Sequence, residues 1–231
     1  MKAALTTVWK PCSSQSAATC GSHRYQLNSS YVSMLYEAGF IPAAIFPGGN
    51  PAEVLRDADL LVLTGGGDPD PSLFGKKDQG SREPERERPL WELELYREAG
   101  RKSIPVLGIC MGMQIIAIAE GVSLIQDLDT AGLNHVPHES IDRKPVIHMV
   151  DVVKGTLLSQ ALKSGEKVSS CHHQVIEKVP EGFMAAAFAP DGLIEAIESS
   201  DSLVTGVQWH PERDGTGHGI LEYMKTIAGR K

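Results

Sequence analysis

Short apolar runs alternate with amphipathic stretches through the first half of the chain. Ala3 to Val8, Ala43 to Phe46, Leu60 to Thr64 and Pro105 to Ile109 have the length and composition of strands. Between them, Ser29 to Ala38, closed by Gly39, Pro51 to Ala58, and Pro89 to about Lys102 carry helical periodicity, the last with proline in its first turn. Strand and helix in strict alternation predict parallel βαβ units. Met111 to Ala119 is apolar on nearly every face, so that helix is expected to be buried on both sides. The second half has a different rhythm. Val146 to Val153, Lys167 to Ser170, Phe183 to Ala189, Leu193 to Glu198 and Leu203 to Trp209 read as strands joined by turn residues, which predicts antiparallel additions to the sheet before a final helix from Thr216 to Ala228.

Length and charge narrow this picture. The 231 residues, 42% of them hydrophobic, are enough for one domain over residues 1–231, with no internal repeat or low-complexity linker. A net charge of −7 argues against nucleic acid or an anionic membrane as a partner. The longest apolar stretch, Ile104 to Leu128, is broken by Gly108, Gly112, Gln114, Glu120, Gly121, Gln126 and Asp127, so no spanning helix is expected. The start, MKAALTTVWK, reads as a first strand and not as a signal peptide, and the expected location is cytoplasmic. The polar segment SREPERER, Ser81 to Arg88, reads as a solvated loop feeding a surface helix, with a flap beside a site as the alternative.

Four cysteines, Cys12, Cys20, Cys110 and Cys171, form neither a CxxC pair nor a disulfide framework. In IPVLGICMGMQIIAIAE, Cys110 sits between a buried strand and a buried helix, with Gly108 and Gly112 to either side. That is the layout of a nucleophile elbow, where the following helix N-terminus favours a thiolate. Taken alone, Cys110 reads equally well as a small buried hydrophobe. A thiolate nucleophile needs an imidazole and a group to orient it, and LVTGVQWHPE offers His210 with Glu212 two residues on, on one side of an extended chain. The other histidines lack such a context. His135 and His138, an HxxH pair, with Cys171 and His172 do not have tetrahedral spacing, and no metal is expected there. Leu63 to Asp68, LTGGGD, ends a strand where α/β sheets bind ligands, and its amides suit an oxyanion better than a phosphate, since GxxxxGK[ST] is absent.

Together GICMGMQ, TGGGD and VQWHPE resemble the class I glutamine amidotransferases. With SCHHQVIEKVPEGF and APDGLIEAIE in the same order, they resemble the peptidase C26 branch that includes the γ-glutamyl-γ-aminobutyrate hydrolases. The resemblance spans about Leu60 to Glu212. It implies an α/β fold with an open, mostly parallel central sheet and helices on both faces, the flavodoxin-like class I glutaminase fold, with antiparallel strands added in the C-terminal half. It implies Cys110 as nucleophile, His210 as general acid and base, Glu212 as its orienting partner, and oxyanion donors from Gly66 and Met111. Gly67, Gln114, Ser170, Cys171 and His172 are implied to meet the substrate, with His173 and Gln174 in supporting positions. Where related hydrolases commonly carry arginine after the cysteine, this chain has Met111. The implied activity is hydrolysis of the γ-glutamyl amide bond of a small γ-glutamyl amine through a thioester, with release of glutamate and no cofactor. A glutaminase subunit supplying ammonia to a synthase, and a non-catalytic binding protein on the same fold, are the alternatives. The oligomeric state is open, with a homodimer among the choices.

Overall fold

A computed structural model describes residues 1–11 and 23–229, so Cys12 and Cys20 lie outside the described residues. Strand β1 (Lys2–Thr6) stops two residues short of the expected end, and β2 (Val8–Pro11) turns away to pair antiparallel with β3 (His23–Gln26). Helix α1 (Ser29–Glu37) starts where Asn28 Oδ1 accepts the Ser30 N–H, and its buried Tyr31, Met34 and Leu35 fall at helical spacing. Next come β4 (Ile41–Ile45), the one-turn α2 (Pro51–Val54), β5 (Leu60–Leu63), α3 (Glu87–Arg101), β6 (Val106–Ile109) and α4 (Met111–Ala119). Helix α2 was expected to run to Ala58 but gives way to a turn after Val54.

The second half supplies β7 (Leu124–Ile125), β8 (Val146–Val152), α5 (Leu158–Ala161), β9 (Glu166–Ser170), β10 (Val175–Ile176), β11 (Phe183–Phe188), β12 (Ile194–Ser199) and β13 (Val204–Val207). Helices α6 (Pro211–Asp214) and α7 (Gly217–Ala228) follow. The short β7–β10 pair, α5 and α6 have too few residues to show a period, and the sequence pattern does not reveal them.

Nine strands form one sheet in the order β4-β1-β5-β6-β13-β12-β11-β8-β9. The first five are mutually parallel and the last four are joined antiparallel, as the change of rhythm predicts. Both faces of the inner parallel strands β1, β5 and β6 are covered, while the edge strand β4 stays partly exposed. Leu60 and Val62 of β5 belong to one apolar cluster with α1 and α7, while Leu61 and Leu63 belong to the other with α3 and α4. Such strands read as unbroken apolar runs because neither face meets water. By contrast, β8 alternates, with His148, Val150 and Val152 buried and Ile147 and Met149 exposed. No helix among the described residues is long and apolar enough to cross a membrane.

Candidate active site

The site forms at the carboxyl ends of β5, β6 and β13, which lie side by side in the parallel sheet. Cys110 joins β6 to α4 at φ 53°, ψ −107°, a conformation that side-chain-bearing residues rarely adopt. Its backbone N–H is held by Val207 O at 2.8 Å and its carbonyl accepts from Gln114 N at 3.2 Å, so neighbouring elements fix the turn. Glycine is required on both sides. A Cβ on Gly108 would stand 2.5 Å from Ile116 Cδ1 and 2.7 Å from the Gly112 carbonyl, and one on Gly112 would strike Leu63 O. Cys110 is buried, at the N-terminus of a helix whose first eight residues are all buried.

His210 lies between β13 and α6, with its N–H donated to Ser169 O at 2.8 Å. Its Nδ1 is 2.8 Å from Glu212 Oε1, and the Glu212 side chain is fully buried. The pairing is the expected one, but its route differs. The strand ends at Val207, and Pro211 opens a helical turn that carries Glu212 back to the ring, so the two residues do not share one extended segment. Asp214 braces that turn by accepting the N–H groups of Ser169 and Thr216. Burial alone would lower the His210 pKa. The charge and hydrogen bond of Cys110 and the bond and charge of Glu212 outweigh it and raise the imidazole to about 9. Tyr31 Oη accepts the Gly65 N–H at 3.1 Å, and its phenol is pushed well up, first by burial and then by the Glu212 charge.

A cavity of about 190 Å³ opens over Cys110. Gly66, Gly67, Met111, Gln114, Cys171 and His172 line it, so most of the residues singled out in the sequence meet around one space. Ser170 does not line it. That residue is fully buried and its hydroxyl donates to His138 O at 2.8 Å. His172 contributes to the wall, but its Nε2 lies 3.4 Å from Glu195 Oε1. Gln114 Nε2 donates to Gln174 O at 3.1 Å, while Gln174 Nε2 donates to Ser81 Oγ and Gln126 O. His173 bridges Asp68 and Asp127.

Within the Ser81 to Arg88 stretch, Glu83, Pro84, Arg86 and Glu87 are exposed as in the expected solvated loop, whereas Arg82 reaches the cavity edge and Arg88 is buried. Asp70 N and Glu85 O, and Glu85 N and Asp68 O, close the Asp68 to Arg88 segment on itself at 2.8 Å each, and Ser81 Oγ and Gln79 N both donate to Gln126 Oε1. Arg82 pairs with Glu139 and Asp127 at the cavity edge, where Asp68, Glu139 and Arg143 also stand. Arg88 is buried completely. It pairs with Glu92 at 2.8 Å and donates to Thr64 O and Gly65 O, so it secures the chain entering the glycine loop from below. Sequence reading missed Arg82, Arg88 and Tyr31 as site-building residues. In SREPERER every arginine adjoins a glutamate, and nothing in the pattern marks which one turns inward.

This open α/β sheet with its strand–cysteine–helix turn is the fold of the class I glutamine amidotransferases. It aligns with a glutamine amidotransferase from Thermotoga maritima at a TM-score of 0.59 over 99% of this chain and 94% of that one, at 16% identity. The chain belongs to the peptidase C26 family, whose sequence profile matches residues 6–212. It is 37% identical over 175 residues to protein NtpR of Enterococcus hirae, covering 72% of this chain and 73% of that protein. It is also 30% identical over 213 residues to the gamma-glutamyl-gamma-aminobutyrate hydrolase of Escherichia coli O157:H7, covering 86% and 83%.

Proposed function

We propose that the protein hydrolyses the γ-glutamyl amide bond of a small γ-glutamyl amine. One observation carries this reading: a cysteine on a strained strand-to-helix turn opens into a cavity with a rim of both charge signs and is hydrogen-bonded to the histidine of a buried His–Glu pair. Cys110 Sγ attacks the side-chain carbonyl carbon, and the N–H groups of Gly66 and Met111 receive the oxygen as it gains charge. His210, held as an imidazolium by its two neighbours, gives its proton to the departing amine. Water then attacks the thioester, His210 takes the proton back, and glutamate leaves. Glu212 keeps the ring's Nδ1–H engaged so that Nε2 faces the reaction.

The rim suits an amino-acid head group. Arg82 and Arg143 bring positive charge for an α-carboxylate, and Asp68 and Glu139 bring negative charge for an α-ammonium. The relatives described as γ-glutamyl-γ-aminobutyrate hydrolases lend support to this substrate class.

The experiment is to incubate the purified chain with glutamine and a panel of γ-glutamyl amides and to measure glutamate release. The expected result is hydrolysis without any partner, with a higher kcat/KM on at least one amide of an organic amine than on glutamine. Silence on every amide, with glutamine cleaved only after a synthase is added, would assign the chain to ammonia delivery instead.

A further inference from the structure

Behind the cavity wall, His138, His148, His172 and Glu195 come together with relative exposures of 1%, 7%, 5% and 0%. His138 Nδ1, His172 Nε2 and His148 Nε2 point at one carboxylate oxygen, Glu195 Oε1, from 3.2, 3.4 and 3.7 Å. None of these three nitrogens, nor either oxygen of Glu195, has a hydrogen-bond partner. Five buried polar atoms without partners in one place are a large departure from the rule that buried polar groups are satisfied.

The opposite ring nitrogens explain why protons do not resolve this. His148 Nδ1 meets Met149 O at 3.0 Å and His172 Nδ1 meets Gln174 O at 3.1 Å. A carbonyl only accepts, so both Nδ1 atoms carry hydrogen, and each ring in its neutral form presents its Nε2 lone pair to Glu195. His138 Nε2 is engaged by Asp191 Oδ2 at 3.0 Å, so in the neutral ring the Nδ1 lone pair likewise points inward. Three lone pairs and a carboxylate therefore face one another. Protonating all three rings would put three imidazolium charges against two carboxylates, with the His138 ring centroid 4.8 Å from each of the other two. One divalent cation balances the charges of Glu195 and Asp191 and engages four of the five inward atoms, the three ring nitrogens and Glu195 Oε1.

We propose that His138, His148, His172 and Glu195 form a buried, four-coordinate zinc site that fastens the antiparallel half of the sheet to the cavity wall. The geometry fits the ion. With metal–ligand bonds of about 2.0–2.2 Å, a tetrahedron has edges of roughly 3.3–3.5 Å. The contacts to Glu195 Oε1 bracket that length, and all four ligand atoms lie within 4.8 Å of one another. Each histidine has its second nitrogen on a carbonyl or carboxylate, the outer arrangement that orients imidazole ligands. Four protein ligands leave no coordination position for a substrate, so the ion is structural and takes no part in the hydrolysis. Its reach to the cavity is short: His172 follows Cys171 in the wall, and Gln174 O, which holds the His172 ring, also accepts from Gln114 Nε2. The expectation from sequence, which weighed His135, His138, Cys171 and His172, had two of the four ligands and lacked His148 and Glu195.

The test uses the full chain, purified without a histidine tag, and measures zinc by mass spectrometry after dialysis and after reconstitution with zinc chloride. We expect one zinc per chain in the wild type and in Cys110→Ala, and less than a tenth of that in His148→Gln and Glu195→Gln. Because those two variants can fail to fold, the wild type is also stripped with a chelator and titrated with zinc alone. Its Tm should rise by roughly 5–10 °C at a hundredfold excess over Kd. A wild type that takes up no zinc under either condition overturns the proposal. So does zinc that is lost in Cys110→Ala yet kept in His148→Gln, which would place it on the catalytic cysteine and His210.

Discussion

The parallel and antiparallel halves of the sheet use polar groups in opposite ways. Around β5, β6 and β13 the strands are buried on both faces, and the polar side chains gather at the carboxyl ends, beside the cavity. Across β12, β11, β8 and β9 one face is partly open to water, and the closest cluster of ionisable groups lies inside, beneath the wall. The first half can hold Cys110 at a strained turn because apolar packing on two sides supports that turn. The second half has a thinner apolar core to draw on, with Ile147, Met149 and Met184 exposed, and histidines and a glutamate take interior positions. The lesson is that one continuous sheet separates two arrangements: a strained turn bearing the cysteine of the proposed chemistry on one side, a buried polar cluster on the other.

Substitutions should separate these roles. His210→Asn should lower kcat by about 10³-fold while the far-ultraviolet spectrum and Tm stay near those of the wild type, since a proton-transfer group is lost and little volume changes. Full activity in that variant would detach β13 from the chemistry. Leu61→Ala, in the doubly buried β5, should cost about 2–5 kcal/mol in denaturant unfolding. Ile147→Ala, on the exposed face of β8, should stay within about 0.5 kcal/mol in the same measurement. Equal losses from the two would mean that both halves are covered alike.

Glu212→Gln should leave a reaction slowed about 10- to 100-fold, because the ring keeps its place with a weaker partner. The pH profile is the gentlest probe. The imidazole pKa of His210 is raised above its usual 6.5 to about 9, so the charged form persists through neutrality and is lost as pH rises through about 9. The rate of glutamate release at low substrate should therefore be flat approaching pH 9 on the alkaline side and fall about tenfold per unit beyond it. In Glu212→Gln the fall should begin at lower pH. An unmoved alkaline limb would mean that Glu212 does not help hold the proton.

The turn at Cys110 was legible along the chain because its requirements are contiguous. A buried strand, two glycines whose Cβ atoms would collide with the packing, and an apolar helix all fall within Val106 to Ala119. His210 and Glu212 were legible for the same reason, two residues apart, even though a helical turn and not an extended strand brings them into contact. The change from doubly buried to singly buried strands was also written into the hydrophobic pattern, since it depends on which faces meet water. Tertiary structure alone decided the rest. Arg88 turns under the glycine loop while Arg82 goes to the cavity edge, and both come from one run of alternating charges. His138, His148, His172 and Glu195 lie 10, 24 and 23 residues apart in turn and share no period. They meet because β8 and β9 pair in register from Val146↔Ser170, and because the chain after β11 turns back at residues 189–193 to begin β12 beside them. Such convergence is a property of strand order, which local spacing does not encode.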